Sequence, residues 1–241
     1  MIVLFTDFGL AGPYVGQMKA VLLREAGAIP VIDLMADVPA FDPRAGAYLL
    51  PAYAAGFPAG CVFLCVVDPG VGGDRPALVL RADGRWFVGP DNGLLALVAR
   101  RAQEVGAWRI TWQPPRLSAS FHGRDLFAPV AACLARGEPP PGEPIAPGGL
   151  VGHDWPDDLA AIVYIDSFGN AMTGLRAAQL GEASRLVVRG KRLQRARTFS
   201  AVAPGIAFWY ENANGLAEIA VNQGRAERCL GLMVGEAVEI E

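Results

Sequence analysis

The sequence predicts an α/β protein in two parts: an N-terminal, mostly parallel sheet flanked by helices, then a smaller C-terminal all-β domain, barrel-like. Three observations carry this reading. In the N-terminal half, short apolar runs alternate with helix-length segments, the order that builds a parallel sheet with helices on its faces. The segment "RGEPPPGEPIAPGG" (136–149) then interrupts the pattern with prolines and glycines, as a linker does. Beyond it lie short apolar runs with little helical periodicity, the pattern of a small barrel or sandwich. The division is an α/β domain over 1–140, a linker over 141–158 and a β domain over 159–241.

Taken in order, "IVLF" (2–5) reads as a short buried strand. A helix runs from about Pro13, a favoured first-turn residue, to Gly27, a C-cap. A strand follows at Val31–Leu34, then a helix opened by Asp42 and Pro43, then a strand over 62–67. A hairpin around Asp83-Gly84 joins 77–81 to 86–89, and helices are expected at 93–104 and 125–136. In the second half the strand candidates are 161–165, 186–189, 206–210, 216–221 and 238–240.

Composition excludes several classes. An apolar fraction of 52% with 19% charge supports a packed core and argues against disorder. The net charge of −3, without a basic tract, argues against a nucleic-acid partner. With two histidines, and four cysteines that form no CxxC pair, no metal site is expected. The cysteines read as buried free thiols. No apolar run reaches the roughly 18 residues of a membrane span, and the first residues read as a core strand, not a signal peptide. A soluble, cytoplasmic protein is the expectation.

In an open parallel sheet, ligands lie beyond the carboxyl ends of the strands. Two carboxylates stand there. One is Asp7 in "LFTDFG"; the other is Asp68 in "VVDPGVGGDR" (66–75), where an apolar run stops on the acid and a glycine loop brings back Arg75. Either acid alone serves equally to cap a helix or fix a turn. Two at equivalent strand ends point to a site. "DFG" is no kinase signature here, because no Gly-rich loop, VAIK lysine or HRD loop accompanies it. "GVGG" is no phosphate cradle, since neither GK[ST] nor GxGxxG follows.

His122 stands in "SASFHGRDLFAP" (118–129), just before a helix. Alone, such a histidine is more often structural than catalytic, and His153 lies in a polar stretch as a solvated residue. "IDSFGN" (165–170) sets Asp166 and Asn170 around a Phe-Gly turn, and "ENANGLAEIAVNQG" (211–224) carries three asparagines, the last being Asn222. Turn formation explains each motif by itself. Together they offer carboxylate and amide groups suited to an amino acid or a purine edge.

Six motifs thus follow one another: "TDFG", "VVDPGVGGDR", "GPDNGLL", "FHGRDLFAP", "DSFGN" and "EIAVNQG". In these the chain resembles, over its whole length, the S-adenosyl-L-methionine (SAM) hydroxide adenosyltransferases, or SAM hydrolases, relatives of the enzymes that make 5′-halo-5′-deoxyadenosines. The resemblance implies an α/β domain, a β-barrel-like domain and a homotrimer. Each active site would lie between the N-domain of one subunit and the C-domain of the next. It also implies that SAM and water give adenosine and L-methionine, without metal or cofactor.

On this resemblance the water-activating trio falls on Asp68, Arg75 and His122. Asp7 corresponds to the ribose-diol ligand and Asp166 to the holder of the methionine amine. Phe168, Asn170 and Phe199 fall around the adenine, and Asn222 is counted with the substrate-binding residues. Halide-using relatives resemble this chain too, but carry tyrosine at the positions of Asp68 and His122. A halogenase is therefore one alternative that these residues count against. A non-catalytic SAM or adenosine sensor is another, for which an intact trio has no use. Many relatives also carry serine where Ala213 stands, near the methionine carboxylate.

The chemistry constrains the trio. Bulk water has a pKa of about 15.7 and an unperturbed histidine about 6.5, a gap that costs on the order of 12 kcal/mol. Without a metal, a histidine does not hold a standing hydroxide. The proton has to leave as the C–O bond forms, with Arg75 stabilising developing charge. Asp68 and His122 both remain candidates to receive it.

Overall fold

Five consecutive buried residues make β1 (Ile2–Thr6), as expected of a strand covered on both faces. The computed structural model describes all 241 residues. They divide into two units, Met1–Trp155 and Pro156–Glu241.

In the first unit β1 is followed by α1 (Tyr14–Ala26), which buries Val15, Met18, Val21 and Leu22 at helical spacing. Gly27 ends it at φ 63°, a conformation that L side chains rarely adopt. Then come β2 (Val31–Met35) and α2 (Pro43–Ala54), where Asp42 caps by accepting from the Ala45 N–H at 2.9 Å. β3 (Val62–Val66) is again wholly buried. β4 (Ala77–Ala82) and β5 (Arg85–Pro90) form the expected hairpin, and α3 (Ala96–Arg101) and β6 (Val105–Ile110) follow. A single π-helical turn, Gly123–Phe127, leads into α4 (Ala128–Ala135), and β7 (Gly142–Ile145) closes the sheet.

The strand order is β2-β1-β3-β5-β4-β6-β7. β1 pairs in parallel with β2 and β3, and β3 with β5. The remaining pairs, β4 with β5 and β6, and β6 with β7, are antiparallel. The sheet is therefore mixed, not mostly parallel. The hairpin is the cause: Asp83 and Gly84 both take positive φ, so the chain reverses at once and β5 returns alongside β3. Leu4 packs with Met18, Leu22, Phe127 and Ala131 of α1, α4 and the turn before α4. The ring of Phe5 instead lies beside Gly46 of α2, so helices cover both faces.

The stretch expected as a linker, 141–158, is largely part of the first unit. Residues 142–145 form an edge strand, where Pro144 is tolerated. Beyond it the Val151 N–H donates to the Asp91 carboxylate at 2.9 Å, and Arg100 donates to the carbonyls of His153 and Trp155.

The strand ladders of the second unit are all antiparallel, and its helical parts are two 3-10 turns and α5 (Ala226–Leu230). β8 (Leu159–Ile165), β9 (Ala171–Arg176), β12 (Ala207–Glu211) and β13 (Leu216–Val221) form one sheet in the order β12-β13-β9-β8. β10 (Leu186–Val188), β11 (Lys191–Leu193) and β14 (Glu239–Ile240) form another, ordered β11-β10-β14. No barrel closes, which corrects the barrel-like expectation. The strands of the second sheet are two or three residues long, and only isolated bridges such as Ala161–Ala237 and Arg195–Trp209 lie outside the two ladders. Such strands are too short to carry a continuous ladder around a closed wall. No helix is long and apolar enough to cross a membrane.

β3 positions Asp68, so its packing sets the site. Leu64 is fully buried at its centre. Leu64→Ala is expected to cost about 2–5 kcal/mol through lost contacts and the cavity left behind. Urea denaturation checks this: the midpoint should fall while the slope stays unchanged.

Candidate active site

β1 and β3 are parallel neighbours paired from Ile2–Val62 to Thr6–Val66, so Asp7 and Asp68 leave the same edge of the sheet. Burial raises the Asp7 carboxyl above its ordinary range, and the charge of Asp68 adds to the effect. One oxygen of Asp7 accepts from the backbone N–H of Phe41 at 3.1 Å. Phe41 has φ 64° and is 77% exposed, an unusual state for a large aromatic residue. Its place directly before the Asp42-Pro43 cap was the available clue in the sequence.

The loop after β3 tightens through two turns, Val71 N–H to Asp68 O at 3.2 Å and Gly73 N–H to Gly70 O at 3.0 Å. These turns bring Arg75 back onto Asp68. Arg75 Nε donates to Asp68 Oδ1 (2.9 Å) and Oδ2 (3.0 Å), and Nη2 also donates to Oδ2. The side chains are 4% (Asp68) and 12% (Arg75) exposed. A buried pair of this kind persists because the fork satisfies the carboxylate directly. The guanidinium also lies over the Phe127 ring at 5.3 Å.

His122 comes from a second loop, immediately before the π-helical turn, and is buried. Its Nδ1 lies 2.9 Å from Arg75 Nη2. Burial lowers its pKa, the Arg75 charge lowers it further, and Asp68 and Asp125 oppose both. Asp125 holds this loop shut: it accepts from the Ser118 N–H at 2.9 Å and from Arg124 Nε at 2.6 Å.

Asp68 and His122 share the wall of a pocket of about 190 Å³, together with Val66, Phe8, Tyr14 and Phe121. Arg75 stands behind them, outside the lining. The three rings pack edge-on or tilted, with centroids 5.5–5.8 Å apart, and give the pocket an apolar wall. Phe8 and Phe121 sat inside motifs already singled out; Tyr14 did not, because its position at the start of α1 reads only as helix.

In the second unit a larger pocket, about 720 Å³, is lined by Asp166, Phe168, Asn170 and Phe199, the four residues that the family resemblance placed around the substrate. Asp166 Oδ1 accepts the N–H groups of Phe168 (2.9 Å) and Asn170 (2.8 Å), so this acid also builds the turn it sits on. Phe199 meets Phe208 and Tyr210 nearly edge-on at 5.2 and 5.3 Å.

Asn222 does not line this pocket. Its amide donates to the Val202 carbonyl at 2.7 Å and braces the 202–206 loop. At the pocket floor stands Glu218, 2% exposed, which the sequence reading overlooked. Tyr210 Oη donates to it at 2.6 Å and Asn212 Nδ2 at 2.8 Å. Burial raises its pKa, and the charge of Asp166 adds to this against those two hydrogen bonds. A lone acid inside the apolar run "LAEIAV" was the visible signal. Asn212 Oδ1 also accepts from Asn214 and Leu216 N–H, which fixes the turn that presents Ala213. No three His, Cys, Asp or Glu side chains come together in a way that could hold a metal ion.

A family model for the SAM hydroxide adenosyltransferase N-terminal domain matches residues 2–143, and one for the C-terminal domain matches 160–239. The chain belongs to the SAM hydroxide adenosyltransferase family. The (R)-S-adenosyl-L-methionine hydrolase of Thermus thermophilus is 40% identical, over 98% of this chain and 97% of its own. That of Salinispora arenicola is 39% identical, over 98% and 95%. A solved structure of an uncharacterized conserved protein from Thermotoga maritima has a TM-score of 0.88 at 33% identity, covering 100% of this chain and 99% of that one.

The two loops of the trio touch at Gly72, which has φ 82°. A Cβ there would lie 2.3 Å from the Ala119 carbonyl oxygen. Gly72→Ala is therefore expected to destabilise the protein by about 2–4 kcal/mol, through the left-handed backbone and the clash together. Urea titration of the variant against the parent protein tests this; equal midpoints would show that the loops do not depend on this contact.

Proposed function

We propose that the protein hydrolyses S-adenosyl-L-methionine to adenosine and L-methionine, with water attacking C5′. The observation that carries this reading is Asp68 and His122 side by side on one apolar-walled pocket, linked behind it by Arg75. Attack of water on a sulfonium disperses charge, which a dry aromatic pocket favours over bulk water. Holding the water in line with the C5′–sulfur bond supplies several kcal/mol more. The relatives named above are called (R)-S-adenosyl-L-methionine hydrolases. With the L centre already specified, (R) refers to the pyramidal sulfur, and we take the same epimer as substrate here.

Asp7, at the edge beside Asp68, suits a ribose diol. The second unit offers Asp166 for the methionine ammonium, and Phe168, Asn170 and Phe199 for the adenine. Asn222 contributes by bracing a loop. Ala213 leaves the methionine carboxylate without a side-chain hydroxyl at that position. No cofactor or metal enters the proposed reaction: the trio supplies the proton acceptor, and Arg75 holds Asp68 and His122 in place from behind the pocket. The four cysteines are free thiols, which supports the cytoplasmic placement.

Turnover in oxygen-18 water should give adenosine labelled at its 5′-hydroxyl and unlabelled methionine, unchanged in EDTA and faster with the (R) epimer than with the (S). Asp68→Ala should lower kcat about 10²–10⁴-fold, whereas Asp7→Ala should act chiefly on KM. Free adenine or methylthioadenosine as the main product would refute attack at C5′.

A homotrimer whose sites join the first unit of one subunit to the second unit of the next is the assembly we propose. The split of ligand groups between the two units supports it, as does family membership. Mixing inactive Asp68→Ala with inactive Asp166→Ala subunits should restore part of the activity, because some interfaces then pair two intact halves. No recovery despite demonstrated subunit exchange would place each site within one subunit.

A further inference from the structure

The two pocket-facing members of the trio differ in what they can do with a proton. A guanidinium has donors only. The 2.9 Å contact between Arg75 Nη2 and His122 Nδ1 therefore makes Nδ1 an acceptor, and the ring proton sits on Nε2. An imidazolium would set its own Nδ1–H against the guanidinium. The carboxylates around the ring do not reverse this. Asp68 is engaged by Arg75 through both oxygens, and Asp125 is occupied by Arg124 and the Ser118 N–H. Nε2 makes no hydrogen bond within the chain, so its N–H is left for whatever the pocket holds.

Asp68 is placed differently. An ionised carboxylate offers about four lone-pair sites. Arg75 makes two contacts to Oδ2 and one to Oδ1, so Oδ1 keeps an open site while Asp68 lines the pocket. We infer that Asp68 takes the proton of the attacking water, and that His122 is locked by Arg75 as a neutral hydrogen-bond donor to that water. The inference rests on the hydrolase reading. In the step, the water oxygen bonds to C5′ while the C5′–S bond breaks and its electron pair goes to sulfur. One water proton passes to the Asp68 carboxylate, and the other remains as the 5′-hydroxyl hydrogen. Sulfonium and carboxylate both end neutral, and Asp68 returns its proton to solvent.

A carboxylate is a weaker base than an imidazole, with ordinary pKa values of about 3.9 and 6.5. This does not disqualify it. As the C–O bond forms, the oxygen becomes an alkyloxonium, a far stronger acid than a carboxylic acid, so a late transfer needs only a weak base. Arg75 is then a positioning residue for both partners, since it fixes the carboxylate and the tautomer from behind the pocket.

Two measurements on the protein test this. With two histidines in the chain, long-range proton–nitrogen NMR of the imidazole rings is readily assigned using His122→Gln and His153→Gln. His122 should show an unprotonated Nδ1 and a protonated Nε2 at pH 7. His153, whose Nδ1 donates to the Leu150 carbonyl at 3.2 Å, should show a protonated Nδ1 and serves as the internal contrast. A proton on Nδ1 of His122 would overturn the lock.

The kinetic arm compares His122→Gln, which keeps an N–H near the position of Nε2, with Asp68→Asn. His122→Gln should lower kcat about ten-fold, the loss of one imperfectly replaced hydrogen bond. Asp68→Asn should lower it at least about 10³-fold. A His122→Gln loss as deep as that of Asp68→Asn would overturn the assignment. If the unaltered protein released no adenosine, the hydrolase reading would fall, and the proton assignment with it, while the NMR spectrum would still decide the tautomer.

Discussion

The guanidinium of Arg75 joins two loops that enter the first unit far apart in the chain. It holds Asp68, seven residues before it, and His122, 47 residues after it, and it rests on the face of Phe127. Each contact removes a cost that the others would otherwise carry. Asp68 and Arg75 are largely out of water, which is tolerable only because the fork meets both carboxylate oxygens. A point charge such as lysine would satisfy neither the carboxylate nor the ring nitrogen in the same geometry. The loop closure that brings the fork into place needs Gly72, where a side chain would strike the neighbouring loop.

Around this cluster two kinds of side chain in the pocket divide the work. The lining carries a carboxylate and an imidazole, and beside them three aromatic rings packed on one another. Such a wall keeps the local dielectric low, so each polar contact at the reacting centre is stronger than it would be in water. The second unit follows another plan. Its pocket is built from residues that also make turns, Asp166 for 166–170 and Asn212 for 212–216, and beneath them a buried glutamate is held by a tyrosine and an asparagine. Pocket lining and scaffold are the same residues there, which places the pocket on hydrogen-bonded turns.

Much of this could be read from the amino-acid order. Strand runs ending on Asp7 and Asp68, the glycine loop returning to Arg75 and the histidine before a helix are all local features. Other features were hidden. β6 carries Gly106 and Arg109 and lacks a continuous apolar run, and β7 contains Pro144, which reads as linker until an edge strand is available to accept it. Glu218 and Phe41 matter through neighbours remote in sequence, Tyr210 in the adjacent strand and Asp7 across 34 residues.

Residue types and their spacing were enough to mark the candidate site groups, the hairpin and the strand ends, because each depends on backbone preferences within a few residues. The open sheets, the mixed strand directions, the bracing role of Asn222 and the acceptor state of His122 Nδ1 came from the folded chain. Those features depend on which distant groups meet, and a hydrogen bond between residues 47 positions apart leaves no periodic trace in the sequence.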